Sequence, residues 1–121
     1  MQLSNSIIYG NQNIEFIVEQ IEDSDLDFIV HNTLFKFFDS SNFFGNDPNL
    51  NFDSPKYNNL YLNLNPGFMD PYENNLVIDE NSEVIGLGNI NYAILYPFDL
   101  NGFDRTGVPD LGAYQHQIID D

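Results

Sequence analysis

The chain contains no cysteine and very few positively charged residues. Without cysteine it can form neither disulfides nor thiolate metal sites, and a catalytic thiol is excluded. Only Lys36, Lys56 and Arg105 are positive against 19 Asp and Glu residues, which gives a net charge of -16. Such a chain repels both the phosphate backbone of nucleic acids and anionic membrane surfaces, so we predict neither as a partner. Its dense carboxylates favour solubility and attract cations.

Long apolar runs are also absent. No stretch approaches the roughly eighteen apolar residues that would span a bilayer, so no membrane insertion is predicted. Residues 1–6 have neither a basic region nor a long apolar core, and they are not predicted to be a secretory signal. The 121 residues are 42% hydrophobic and include 11 Phe and 7 Tyr. This length and composition predict a single domain over residues 1–121.

Short β-branched and aromatic runs between polar turns make up most of the chain, which is typical of strands. The predicted strands cover residues 3–9, 14–19, 27–38, 57–64, 76–78, 84–87 and 90–96. Residues 22–25 are predicted to be a polar turn, and residues 39–56 a long loop rich in Asn, Asp, Ser and Pro. Few windows favour helix. The fold class is therefore predicted as all-β, and sandwich, barrel and solenoid all remain open.

Two features favour the solenoid. Asn is abundant and falls at turns, where stacked Asn side chains could form ladders that satisfy turn backbone. These positions are Asn5, Asn11, Asn32, Asn63 and Asn75. Tight hairpin signals are nearly absent, with Asn101-Gly102 as the exception, and parallel coils need no hairpins. No exact repeat is visible in the sequence.

Several stretches resemble the C-terminal region of right-handed parallel β-helix proteins of the choice-of-anchor Q type, which belong to the pectate-lyase-like solenoid superfamily. Residues 65–71 (NPGFMDP) resemble its D-P-x-F-x-D turn, and residues 76–88 resemble its strand followed by S-P-A-I-D-x-G. Residues 99–114 resemble its ending D-x-D-G-x-x-R-x-x-x-x-D-I-G-A-Y-E. Residues 5–11 and 31–35 resemble a coil opening and the rung after it. The chain departs from this pattern at Glu83, Gly86 and Gln115, where Pro, Asp and Glu are usual.

The resemblance implies a right-handed parallel β-helix. Residues 1–97 would form its last few coils, and residues 98–121 its C-terminal closing segment and cap. It also implies a bacterial cell-surface or secreted location. An uncapped solenoid end presents unpaired strand edges. The edge at residues 3–9 is therefore expected to contact upstream coils or another copy of the chain.

The function predicted on this basis is a non-enzymatic structural or capping part of such a protein, with a surface that contacts glycans. Two alternatives remain open. One is the C-terminal part of a polysaccharide-active lyase or hydrolase whose catalytic coils lie upstream. The other is a calcium-dependent binding module. We identify no catalytic residues and no organic cofactor.

One candidate metal site lies in the closing segment. Asp99, Asn101 and Asp104 place oxygen atoms near one another in sequence, with Gly102 for the turn. Loops of this kind bind hard cations such as Ca²⁺. Turn chemistry is the competing explanation, because Asp and Asn side chains also accept hydrogen bonds from turn backbone.

Four residues of the closing segment are predicted to be structural: Arg105, Asp110, Gly112 and Tyr114. Arg105 is the only arginine, and we predict that it pairs with a neighbouring carboxylate and so fixes the closing turn. The two histidines, His31 and His116, have no metal-site spacing and are predicted to be structural or exposed. Sugar rings could stack on a set of tyrosines, but strand packing is the favoured explanation for most of them, because Tyr is a common strand former. The set is Tyr57, Tyr61, Tyr72 and Tyr92.

Overall fold

The strands form two small sheets in the computed structural model, which describes residues 1–19 and 27–117. The turn predicted at residues 22–25 lies outside the described residues. The strands are β1 (Gln2–Ser4), β2 (Ile7–Ile8), β3 (Ile29–Phe35), β4 (Tyr57–Leu62), β5 (Phe68–Asp70) and β6 (Asn75–Ile78). One short α-helix, α1 (Ile90–Ala93), and two 3-10 helices, Pro48–Leu50 and Pro71–Glu73, complete the regular structure.

The main sheet is parallel and is built around β3. β1 and β2 lie end to end along one edge of β3, and β4 runs along the other edge. Gln2 is opposite Ile29, and Val30 is opposite Tyr57, so neighbouring strands pair residues that are 27 positions apart. The sequence therefore carries a 27-residue spacing, although it contains no exact repeat.

Asparagines at this spacing lie at the same level of the sheet: Asn5 follows β1, and Asn32 and Asn59 lie within β3 and β4. Asn5, Asn32 and Asn59 have φ angles of 50°, 48° and 54°, in the left-handed region. Asparagine tolerates this conformation better than most other residues because its short polar side chain can bond locally. These three residues therefore change the course of the backbone at one level of the sheet.

The predicted right-handed parallel β-helix is wrong. The main sheet has four strands, and β5 and β6 form a separate antiparallel pair in which Phe68 is opposite Ile78. Among the described residues neither sheet closes or continues as a solenoid. The physical reason lies after β4, where Gly67 and Asn74 adopt positive φ and turn the chain. Residues 68–78 consequently pair with each other and add no further parallel strand to the main sheet.

Three predicted strands also differ locally from the structure. Within residues 14–19 only Ile14 forms a bridge, with Phe37. Residues 84–87 form turns, and residues 90–96 begin with α1. The helix begins there because the Asn89 side chain accepts a hydrogen bond from the Asn91 backbone N–H at 2.9 Å. No helix in the described part of the chain is long and apolar enough to cross a membrane.

Apolar side chains cover both faces of the main sheet. Leu34 and Phe35 are adjacent on β3 and both have no exposed surface, but they belong to different clusters. Adjacent strand residues point to opposite faces, so the two clusters lie on opposite sides of the sheet. One cluster contains Phe28, Val30, Phe35 and Tyr57, and the other contains Leu34, Ile78, Val84 and Leu111. The second cluster therefore joins the closing segment to β3.

The long loop packs against the first cluster through Phe52, which contacts Tyr57 of β4. The Phe52 ring lies 5.0 Å from the Tyr57 ring, centre to centre. The Tyr57 hydroxyl donates a hydrogen bond to the Asn49 backbone carbonyl. Burial, reinforced by the negative charge of Asp47, raises the pKa of Tyr57 to about 12. The tyrosine therefore ties the loop to the sheet in its neutral form.

This contact predicts a loss of stability in alkali. The folded-state pKa lies above the ordinary value of 10.0, so the contribution of neutral Tyr57 is complete below pH 10. It is lost as the pH rises toward about 12. Urea unfolding between pH 9 and pH 12 should show this decline, and the Tyr57→Phe variant should show a smaller one. An identical decline in that variant would contradict the assignment to Tyr57.

Candidate functional site

The closing segment, residues 98–117 in its described part, begins with a turn organised by the Asp99 carboxylate. One carboxylate oxygen accepts hydrogen bonds from the backbone N–H groups of Asn101 and Phe103, at 2.8 and 2.9 Å. The other accepts from the Gln115 N–H at 2.7 Å. Asp99 is buried, so these three donors compensate a desolvated charge. This one carboxylate holds the start of the segment to its end.

The proposed calcium ligands all lie in this turn. Asp104 accepts from both the backbone N–H and the hydroxyl of Thr106, and these bonds lower its pKa below the usual value. Asn101 is exposed. The described residues contain no group of three or more His, Cys, Asp or Glu side chains placed to hold a metal ion. The hydrogen bonds that are present belong to turn chemistry, the competing explanation. Calcium binding by Asp99, Asn101 and Asp104 stays a prediction.

Arg105 holds the closing segment through backbone carbonyls. Its Nη2 group donates to the Asp110 carbonyl at 2.7 Å and to the Gly112 carbonyl at 2.8 Å. Burial lowers the pKa of the guanidinium, and the negative charges of Asp99 and Asp110 oppose that shift. The predicted carboxylate pair is therefore wrong in its geometry. The neighbouring carboxylates act on Arg105 through their charge, and its hydrogen bonds go to the main chain.

Among residues 98–117, Asp110 is the most deeply buried acidic residue, with 1% of its surface exposed. One of its oxygens accepts from the Gly86 N–H at 2.6 Å and the other from the His116 N–H at 2.7 Å. Asp110 thereby joins three stretches of chain: the turn at residue 86, the segment itself and its C-terminal part. A structural role for Asp110 stays a prediction, and these contacts are the ones through which it would act.

Gln115 uses both ends of its side-chain amide. Its Oε1 atom accepts from the Asp110 N–H at 2.9 Å, and its Nε2 atom donates to the Val108 carbonyl at 2.8 Å. An ionised glutamate, the usual residue at this position of the resembled motif, could not donate the second bond. The departure at Gln115 therefore has a structural use that sequence reasoning did not identify.

Gly112 brings the closing segment against the first strands. Its N–H donates to the Asn5 carbonyl at 2.8 Å. Its φ of 95° favours glycine, and a Cβ atom there would lie 2.8 Å from the Ile7 side chain. The edge at residues 3–9, which was expected to contact another molecule, is thus partly covered by this chain. Contact with another copy stays a prediction, as does a structural role for the half-buried Tyr114.

Two asparagines connect this region to the main sheet in a way that the sequence analysis missed. Asn5 donates to the Asn89 carbonyl at 3.0 Å and accepts from the Asn89 N–H at 2.7 Å. Asn32 donates to the Leu87 carbonyl at 2.9 Å. Residues 87–89 therefore cross the sheet at the level of Asn5 and Asn32. The 27-residue spacing of the asparagines is the sequence signal that could have indicated this crossing.

The other predicted side chains are dispersed. Tyr57 is buried and Tyr61 packs on the second cluster, so neither ring is open for stacking, whereas Tyr72 is exposed. Tyr92 is half-buried, and its ring centre lies 5.1 Å from that of His31. The His116 ring nitrogen Nδ1 lies 3.3 Å from the Ile78 carbonyl oxygen.

Comparisons with models of known protein families, with curated proteins and with solved structures find no match to this chain.

Proposed function

We propose that this chain is a non-enzymatic structural module of a cell-surface or secreted protein, in which the closing segment holds the first strands in place. The carrying observation is the arrangement of Arg105 and Asp110 around Gly112, whose N–H donates to the Asn5 carbonyl next to β1. Arg105 donates to two backbone carbonyls. Each carboxylate oxygen of Asp110 accepts from one backbone N–H, that of Gly86 or that of His116. These ionisable side chains therefore serve as cross-links between stretches of main chain.

The other cations are likewise engaged within the chain. The Lys36 ammonium donates to the Gly10 carbonyl at 3.0 Å and lies 5.2 Å from the Tyr9 ring centre. The Lys56 ammonium lies 4.6 Å from the Phe28 ring centre. A lyase needs basic groups that reach a substrate, and all three cations of this chain already have internal partners. This arrangement supports a structural role over the polysaccharide-active alternative for these residues.

The proposed location rests on the resemblance, and the exclusion of nucleic acids and membranes rests on charge. The resemblance of residues 99–114 to choice-of-anchor Q endings supports the cell-surface or secreted location, while the β-helix that it implied is not part of the proposal. The net charge of -16 supports the exclusion of polyanionic partners.

An activity assay tests the proposal. The chain is incubated with neutral and acidic polysaccharides, and both reducing ends and unsaturated products are measured. We expect no product above the level given by heat-denatured protein. Product that grows with protein concentration, and that falls when Lys36 or Lys56 is replaced by methionine without loss of stability, would overturn the non-enzymatic assignment.

A further inference from the structure

A groove of about 630 Å³ separates the first strands from α1 and the closing segment. Gln2 and Ser4 line it from β1, and Tyr92 and Tyr96 line it from the region of α1. Gly112 and Ala113 line it from the closing segment. Tyr96 has 78% of its surface exposed, so its ring is accessible from this groove.

The polar side chains of this groove fall into two groups, because Asn5, Ser6 and Arg105 have hydrogen-bond partners and the others do not. Within residues 1–19 and 27–117, no hydrogen bond is made by the side chains of Gln2 and Ser4 or by the hydroxyls of Tyr92 and Tyr96. His31, opposite Ser4 in the sheet, contacts Tyr92 through its ring. The nearby closing segment differs, because Asp99, Asp110 and Gln115 bond to backbone there. The groove therefore presents unused donors and acceptors beside aromatic rings.

The charges around the groove favour a neutral ligand. None of the described residues that line it is acidic, although the chain has 19 Asp and Glu residues. Its one cation, Arg105, already donates to two carbonyls and lies under the influence of Asp99 and Asp110. A cationic ligand would find no carboxylate in the lining. An anionic ligand would gain little from Arg105, whose charge Asp99 and Asp110 already compensate. The net charge of -16 would also repel it.

The polar groups favour a saccharide over a peptide. A peptide that adds to a sheet needs a free backbone edge, and the Asn5 carbonyl on this side already accepts from Gly112. A sugar needs an aromatic surface for its apolar C–H face, together with hydroxyl and amide side chains for its rim. Tyr96, Ser4 and Gln2 supply these groups.

We propose that this groove binds a neutral oligosaccharide, with one sugar ring stacked on Tyr96 and its hydroxyls bonded to Ser4 and Gln2. The proposal goes beyond the structural role given above and does not depend on it. The groove can lack a ligand while the closing segment still holds the strands, so the two proposals fail separately.

Calorimetric titration of the full chain with soluble hexamers of β-linked glucose, mannose and N-acetylglucosamine tests this inference, with hexagalacturonate as the acidic comparison. We expect at least one neutral hexamer to bind at millimolar concentration and hexagalacturonate not to bind. Tyr96→Ala should weaken the binding about tenfold, because an exposed stacking surface is lost. The matched control is Phe43→Ala, which removes another exposed aromatic ring outside the groove and should bind as the wild type does.

Three results would overturn the inference. They are the absence of binding to every neutral hexamer, tighter binding of hexagalacturonate, and equal binding by the Tyr96→Ala and wild-type chains. Ser4→Ala is a second variant that leaves the aromatic ring in place. A change in the binding enthalpy in this variant would support the predicted hydrogen bond, and an unchanged enthalpy would place the sugar elsewhere.

Discussion

Replacing Asp110 by asparagine is expected to lower the free energy of unfolding by about 3 kcal/mol. The substitution keeps the size of the side chain but turns one carboxylate oxygen into an N–H donor. That donor would face the N–H of either Gly86 or His116, so one of the two hydrogen bonds would become a donor–donor contact. The lost charge would also leave Arg105 with less compensation in its half-buried position. Equilibrium unfolding in urea measures the change.

The matched control is Asp53→Asn, which removes the same charge at an exposed position. We expect that variant to stay within about 0.5 kcal/mol of the wild type. Equal losses in the two variants would mean that net charge, rather than the bonds to Gly86 and His116, sets the effect. A stable Asp110→Asn chain would contradict the structural role assigned to this residue.

Replacing Arg105 by alanine is expected to cost a similar amount, about 3 kcal/mol. The variant leaves the carbonyls of Asp110 and Gly112 without their donor. It also removes the positive charge near the buried carboxylates of Asp99 and Asp110. The melting temperature and the urea midpoint should therefore both fall.

Arg105→Lys separates charge from geometry. Lysine keeps the positive charge but has a shorter reach and lacks the planar fork of arginine, so we expect it to recover only part of the loss. A lysine variant as stable as the wild type would show that the charge alone is needed. An alanine variant with an unchanged melting temperature would remove Arg105 from the structural role altogether.

The sequence was sufficient to predict where the central strands lie in the chain. It was not sufficient to predict how the strands and the helix pack together. Residues 27–38 and 57–64 contain β3 and β4, because β-branched and aromatic runs between turns are typical of strands. The same rule failed at residues 90–96, where an N-cap at Asn89 starts α1. A local pattern could not show that Asn89 also bonds to Asn5, 84 residues away.

The closing segment was identified from its motif, but the partners of its residues were not. Arg105 lies close in sequence to Asp99, Asp104 and Asp110, which suggested a carboxylate pair, because side-chain acceptors can be identified from the sequence. Every residue also has a backbone carbonyl, and which carbonyls approach Arg105 depends on the path of the chain. The glycine turn at Gly112 sets that path and brings its carbonyl to the guanidinium.

The solenoid prediction was wrong because it required parallel strand pairing to continue beyond β4. Parallel pairing is present from β1 to β4, at a spacing of 27 residues. The positive φ angles of Gly67 and Asn74 then fold residues 68–78 onto themselves. A single backbone reversal of this kind decides the topology, and composition does not reveal it.

The bonds from Asn5 to Asn89 and Gly112 have a consequence for the order in which the protein is made and folded. A ribosome releases the amino end first, so β1 and β2 exist long before the residues that hold Asn5 from the far side. Contacts across such sequence separations raise the contact order and slow the folding reaction. The nascent chain can pair β1 with β3 early, but the bond to Gly112 forms only after that residue too has left the exit tunnel.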